Sequence, residues 1–308
     1  MPAPSTPSLT NPRSDRVKAV RALSGRSARL RTGRYLVEGP QAVREAVRFR
    51  PEDVVDLYLT PAAAERHEEI VAAAREAERY VHLATAEVLE TMSADAQGVV
   101  AVAADRRPAP GSRSLALLRE VVADGPRLVA VLSHVRDPGN AGTVIRAADA
   151  AGADLVVLTE SSVDVTNPKV VRSTAGSLFH LPVVTGVALA DAVDVLTGAG
   201  LGVLAADGAG TVMLDDLLAA TGAMGSPAVD VRASLPGAEP RGVPEADPAA
   251  DLTRPTAWVF GNEAWGLTDD ERALADIVVR VPIHGHAESL NLGTAATVCL
   301  YASAFAQR

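Results

Sequence analysis

Three stretches of this sequence place polar residues able to do chemistry between apolar runs: residues 132–153, 258–267 and 281–291. In the first, Asn140 and Arg146 follow Asp137-Pro-Gly. An Arg near the mouth of such a loop, above free helix N–H groups, can hold a phosphate through its planar fork. Taken alone, Asn140 reads rather as a helix cap and Arg146 as a surface charge. In the second, Gly261 at a strand end lets another group approach the backbone closely. Glu263, two residues on, could orient Arg146 through an ion pair or be an ordinary exposed carboxylate. The third is Val281-Pro-Ile-His-Gly-His-Ala-Glu-Ser-Leu-Asn291. Here Ser289 or Asn291 could cap the helix that follows or orient a hydroxyl.

Each stretch is predicted to lie between a strand and a helix. Residues 128–135 are a strand and 143–151 a helix, with Asn140 at its entrance, Arg146 in its first turn or so, and Gly152 closing it in the left-handed conformation. Residues 256–260 are a strand, and Thr268-Asp-Asp-Glu271 has capping-box spacing. Pro282 stops the β-branched run 277–283 as a strand, and the Ala-rich stretch 292–306 suits a buried helix. Loops at the C-terminal ends of strands surround ligand cavities in α/β sheets. From residue 128 onward apolar strands alternate with helices, which calls for a mostly parallel sheet covered on both faces. Ahead of it, residues 13–104 read as a small α/β domain. The remaining expected boundaries are a disordered leader at 1–12, a linker at 105–126, a second domain at 127–308, and a disordered insertion at 225–255.

In this order, with a Pro-Ile…Ser-Leu-Asn close, the three stretches resemble the three motifs of the SpoU (TrmH) family of SPOUT-class RNA ribose methyltransferases. The resemblance covers about residues 128–305, and Tyr35-Leu-Val-Glu-Gly-Pro40 is similar to the substrate-binding domain often fused ahead of it. It implies an α/β fold with a trefoil knot, an S-adenosylmethionine cofactor, a homodimer, and methylation of a ribose 2′-hydroxyl in RNA. Ribosomal RNA is favoured over transfer RNA, which stays the alternative substrate. Mapped onto this chain, Gly261, Val281, Ile283 and Leu290 resemble the cofactor-contacting positions. Asn140, Arg146, Glu263, Ser289 and Asn291 resemble the polar catalytic set. The family proposal makes Arg146 a base or its activator. Guanidinium groups are effectively never deprotonated in proteins, so binding the RNA phosphate and stabilising the forming alkoxide suit Arg146 better. The chain departs from the family after Ser-Leu-Asn: Leu292 and Gly293 stand where a small aliphatic residue and a Ser are common.

Composition bounds the alternatives. The 308 residues are 48% hydrophobic and only 3% aromatic, as in an α/β protein built on Ala, Val and Leu. The single cysteine, Cys299, excludes an intramolecular disulfide, and the N-terminus lacks the pattern of a signal peptide. No membrane segment and a cytoplasmic location are expected. The net charge of −9 argues against nucleic acid, yet residues 1–50 carry eleven Lys or Arg against three Asp or Glu. Distribution outweighs the total, and the arginines of 13–34 read as RNA-phosphate contacts or as a solvated basic helix. Gly200-Leu-Gly-Val-Leu-Ala205 fits a dinucleotide fingerprint, but a helix precedes it and a strand follows, the reverse of what that loop needs. Ser289 with His284 or His286 lacks the elbow of a serine hydrolase, and no metal site is expected. A non-catalytic RNA-binding protein on the same fold remains the rival of a different class.

Overall fold

The computed structural model describes residues 6–221 and 251–308. The chain separates into two compact units. The first takes the chain up to Pro108 together with residues 137–146 and 163–182; the second takes 109–136, 147–162 and the chain from Val183 on.

The first unit begins with α1 (Asp15–Ala22), α2 (Arg26–Thr32), β1 (Arg34–Glu38), α3 (Pro40–Phe49) and β2 (Val54–Leu59). It continues through α4 (Pro61–Arg66), α5 (Glu68–Glu76), β3 (Tyr80–Leu83), α6 (Ala86–Met92) and β4 (Val99–Ala104). Prolines at the first turn of α3 and α4 and side-chain caps from Thr60 and Thr85 start these helices where the sequence places them. The sheet order is β1-β4-β2-β3, and Leu36, Tyr58, Val100 and Val102 pack with Val17, Val20 and Leu89 into one core. Two expectations need correction here. In the leader, residues 1–5 lie outside the described chain, but Ser8 and Leu9 donate to the Leu83 carbonyl at 2.9 and 3.0 Å, extending the end of β3. Among the basic residues, Arg29 is no phosphate contact: it is 6% exposed, pairs with Asp164 at 2.8 Å, and donates to Thr166 and to the carbonyls of Leu23 and Ser24. Arg16, Arg21, Arg26, Arg31 and Arg34 remain exposed.

Next in the chain come α7 (Ser112–Val122), β5 (Leu128–Leu132), α8 (Pro138–Ala151), β6 (Leu155–Thr159), α9 (Pro168–Ser173) and β7 (Val183–Val187). Then follow α10 (Leu189–Gly198), β8 (Gly202–Ala206), β9 (Val212–Met213) and α11 (Leu214–Ala220). After the undescribed residues come β10 (Thr256–Phe260), α12 (Asp269–Arg272), β11 (Ile277–Arg280) and α13 (Leu292–Ala306). Of these, α9 lies in the first unit, and α8 runs from the first unit into the second.

The second unit carries a sheet of order β7-β6-β5-β10-β8-β11-β9 whose pairings are all parallel. Successive side chains on a strand point to opposite faces. Val129, Val131, Val203, Ala205, Ala257 and Val259 therefore meet Leu118, Val122, Ala192 and Leu196 of α7 and α10 on one face. Trp258, fully buried, points the other way and donates its indole N–H to Ser303 of α13 at 2.9 Å. The expected linker at 105–126 is thus corrected: its breakers cluster at 108–111 and again at Gly125-Pro126, and between them Leu118 and Val122 belong to a core helix, Ser112–Val122. The expected insertion at 225–255 falls on undescribed residues up to 250. Residues 251–255 form a turn in which Asp251 accepts from the Thr253 backbone at 2.9 Å and Leu252 is fully buried. Gly200 joins α10 to β8, helix before strand, so the dinucleotide reading fails on topology.

Candidate active site

Parallel register brings four strand ends of the second unit to one edge. Phe260 of β10 is level with Leu132 of β5 and Ala206 of β8, and Ala206 is level with Val279 of β11. Gly261 and Val281 therefore leave the same edge from strands two places apart, roughly 10 Å. Helix α13 reaches this edge too. Its C-terminal Gln307 donates to the Arg254 carbonyl ahead of β10 at 2.8 Å, and Ser303 lies against Trp258. The helix runs antiparallel to the strand, so its N-terminus at Asn291 lies beyond Phe260, on the side of Gly261.

The turn after β10 is closed on itself. Asn262 and Gly266 exchange backbone hydrogen bonds of 3.0 and 2.9 Å, and Gly266 has φ +69°. Gly261 fits because it has no side chain: a Cβ there would be 2.4 Å from the Gly266 carbonyl carbon and 2.6 Å from the Leu267 nitrogen. Asn262, 6% exposed, ties this turn to the loop after β5 by donating to the His134 carbonyl at 2.7 Å. His134 has φ +54°, in the left-handed region that His enters more readily than most residues other than glycine. Its N–H is held by the Thr159 hydroxyl at 3.2 Å, so both sides of the residue are fixed. The Glu263 carboxylate accepts from the Arg136 backbone at 3.3 Å. From the other side Asp207, after β8, accepts from the Leu267 backbone at 3.1 Å. The Ser133 hydroxyl, fully buried, donates to Glu271, whose side chain also completes the capping box predicted at Thr268. Burial alone would raise the Glu271 carboxyl, but the bonds from Ser133 and Thr268 outweigh it and lower its pKa.

The segment after β11 is of another kind. Val281 and Ile283 are half-buried, while His284 through Asn291 are exposed, Leu290 to 37%. Ser289 belongs to this exposed run. Asn291 takes the capping role left open between it and Ser289, its side chain accepting from Gly293 at 2.9 Å.

The two remaining positions lie in the first unit. Helix α8 starts five residues earlier than expected: Asp137 caps it by accepting from the Asn140 backbone at 2.8 Å, and Pro138 occupies its first position. Pro138 was read as a loop residue, although its fixed φ suits a helix start. Asn140 is consequently inside the first turn and Arg146 in the third. Arg146 is exposed. Gly142 is pressed against α9, where a Cβ would be 1.8 Å from the Ser173 hydroxyl oxygen.

Comparison with known proteins bears on this arrangement directly. The SpoU rRNA Methylase family profile matches residues 127–301, and a profile for RNA 2′-O ribose methyltransferase substrate binding matches 36–109. The chain belongs to the SpoU rRNA methylase family. A relative is the 23S rRNA (guanosine-2′-O-)-methyltransferase RlmB of Bordetella pertussis, 31% identical over 87% of this chain and 96% of its own. The AdoMet-bound rRNA methyltransferase of Sinorhizobium meliloti is similar with TM-score 0.71 and 26% identity, covering 96% of each chain. The SpoU methyltransferase AviRb of Streptomyces viridochromogenes is similar with TM-score 0.71 and 26% identity, over 96% of this chain and 98% of its own. Within a SpoU fold, the residue that sequence reasoning passed over is Asn262. A buried side chain joining two loops leaves no periodicity; the one available signal was an Asn directly after a strand-ending glycine.

Proposed function

We propose that the protein transfers a methyl group from S-adenosylmethionine to a ribose 2′-hydroxyl of ribosomal RNA. The observation that carries this is the shared edge: Gly261, Val281, Ile283 and the start of α13 leave it together, in a chain of the SpoU family. Gly261 packs on the turn's own backbone at Gly266 and Leu267, so no side chain stands at that strand end, and half-buried Val281 and Ile283 with Leu290 offer apolar contact for an adenosine. S-adenosylmethionine, when bound, supplies an electrophilic methyl on a sulfonium. The chain's part is to hold the nucleophile in line with it, and positioning of this kind can lower a barrier by on the order of 7–11 kcal/mol. Arg146, exposed and cationic, grips the RNA phosphate and stabilises the forming alkoxide. Asn140, Glu263, Ser289 and Asn291 orient the ribose and the loops around it. The relatives' names make 23S rRNA the substrate to test first.

Further parts of this reading have their own support. Residues 13–104 serve as the RNA-binding domain, with exposed Arg16, Arg21, Arg26 and Arg31 as phosphate contacts. The chain forms a homodimer through α13, which leaves Val298 41% and Phe305 62% exposed. Its C-terminal segment is threaded as a trefoil knot: the path returns from β11, near the sheet's edge, to α13 packed behind β10. The enzyme works in the cytoplasm, as a ribosomal RNA substrate calls for. Among the described residues no helix is long and apolar enough to cross a membrane.

The test is methyl transfer from labelled S-adenosylmethionine to unmodified 23S rRNA, with the product mapped for ribose methylation. The wild type should label one ribose. Arg146→Ala should lose at least about 100-fold in turnover while retaining cofactor affinity, as removal of a transition-state charge contact does. Near-normal turnover in that variant would remove Arg146 from the chemistry.

A further inference from the structure

The chain has two tryptophans, and they are placed in opposite ways. Trp258 is fully buried under α13, whereas Trp265 is 51% exposed. Trp265 stands on the turn that the Asn262–Gly266 backbone pair closes, so its Cα is fixed although its ring meets no core. The Arg136 guanidinium lies over the indole, 5.5 Å from the ring centroid, a cation–π distance. The Arg136 backbone is held in turn by Glu263 at 3.3 Å. A chain with only 3% aromatic residues therefore displays one of its two indoles, backed by a cation, at the strand edge where the methyl is to be delivered.

We propose that Trp265 and Arg136 form a stacking platform for an unpaired base of the RNA beside the methylated ribose. This rests on the methyltransfer reading and adds the way the nucleotide is held. An indole takes any base by its π-face, and a guanidinium next to it can also reach the phosphate of the stacked nucleotide. RNA is recognised chiefly where bases can be splayed out and stacked in this manner. Glu263 then acts as a positioning residue: by fixing the Arg136 backbone it keeps the cation over the ring.

The test uses the full-length protein, an unmodified 23S rRNA transcript and S-adenosylmethionine added separately. Both indoles emit, so the part of an emission change on ligand addition that is lost in Trp265→Ala reports Trp265. RNA should quench the emission and S-adenosylmethionine alone should not. Trp265→Ala should raise the KM for RNA about 5- to 100-fold, the range of base–aromatic stacking. Its kcat and cofactor Kd should stay close to wild type, and Trp265→Phe should recover most of the loss. A wild-type KM in Trp265→Ala would overturn the platform. So would quenching by S-adenosylmethionine alone with a weakened cofactor Kd, which would assign the ring to the cofactor. If the wild type methylates no ribose, it is the functional reading that fails, and RNA quenching still reports on the platform by itself.

Discussion

Between Gly261 and Leu267 the chain is tied to its neighbours through the Asn262–Gly266 pair, Asn262 to His134, Glu263 to Arg136, and Leu267 to Asp207. From Val281 to Leu290, leaving the same sheet edge two strands away, there is no hydrogen bond among the described residues. Of the two segments proposed to hold the cofactor, the first is thus fixed by hydrogen bonds, while the second is exposed from His284 on. In the proposed reaction the first segment supplies the fixed geometry against which the methyl and the ribose are aligned.

The sharpest way to break this contrast is the same substitution in both loops. Gly261→Ala drives a methyl to within 2.6 Å of the backbone at Gly266 and Leu267. Opening that turn should cost about 3 kcal/mol or more, since backbone cannot yield as a side chain does. Gly285→Ala meets nothing within 4 Å, and its φ is not in the left-handed region. It should change stability by less than about 0.5 kcal/mol, as exposed sites do. Urea denaturation of both variants measures the difference; equal midpoints would mean that the turn is not rigid.

Asn262→Ala comes next. It strips the His134 carbonyl of its 2.7 Å donor while leaving that residue at φ +54°. An unsatisfied buried acceptor costs about 1–3 kcal/mol, and release of the loop after β5 should weaken cofactor binding in parallel. Calorimetric titration with S-adenosylmethionine checks this: a variant that melts early but binds at full affinity would confine Asn262 to folding.

The same contrast explains what could be read in the sequence. Strands such as Leu155–Thr159 and Thr256–Phe260 are β-branched runs flanked by breakers, and they lie where the pattern puts them. Thr268 and Glu271 form their capping box because three-residue spacing is a local property. Asn291 was legible for the same reason. Asn262, Asp207 and His134 were not, because their partners are about 60 to 130 positions away in the chain and no periodicity records such a pairing. The start of α8 was misplaced because Pro138-Gly139 looks like a turn, although Pro in a helix's first turn is favourable once Asp137 caps it. The linker was overextended for a related reason. The breakers at 106–111 were taken to govern the residues after them, where Leu118 and Val122 in fact carry a helical stripe.

Within the tied region the smallest expected effect comes from Glu271, which joins α12 to the loop after β5 through Ser133. Its carboxyl is lowered from an ordinary value of 4.5, because the donors favour the ionised form more than burial disfavours it. A group depressed on folding stabilises the protein above its unfolded pKa, and that share is lost as pH falls through the folded value. Glu271→Gln should therefore differ from wild type at pH 7 by about 0.5 kcal/mol after solvent screening, and the gap should close below pH 4. Asp56 and Asp164 are lowered as well, so wild type and variant both weaken in acid, and only their difference reports Glu271. Urea midpoints taken across this range decide the matter. A gap that widened toward acid would mean that Glu271 is held protonated, with Ser133 accepting, and that the rigid loop is anchored without charge.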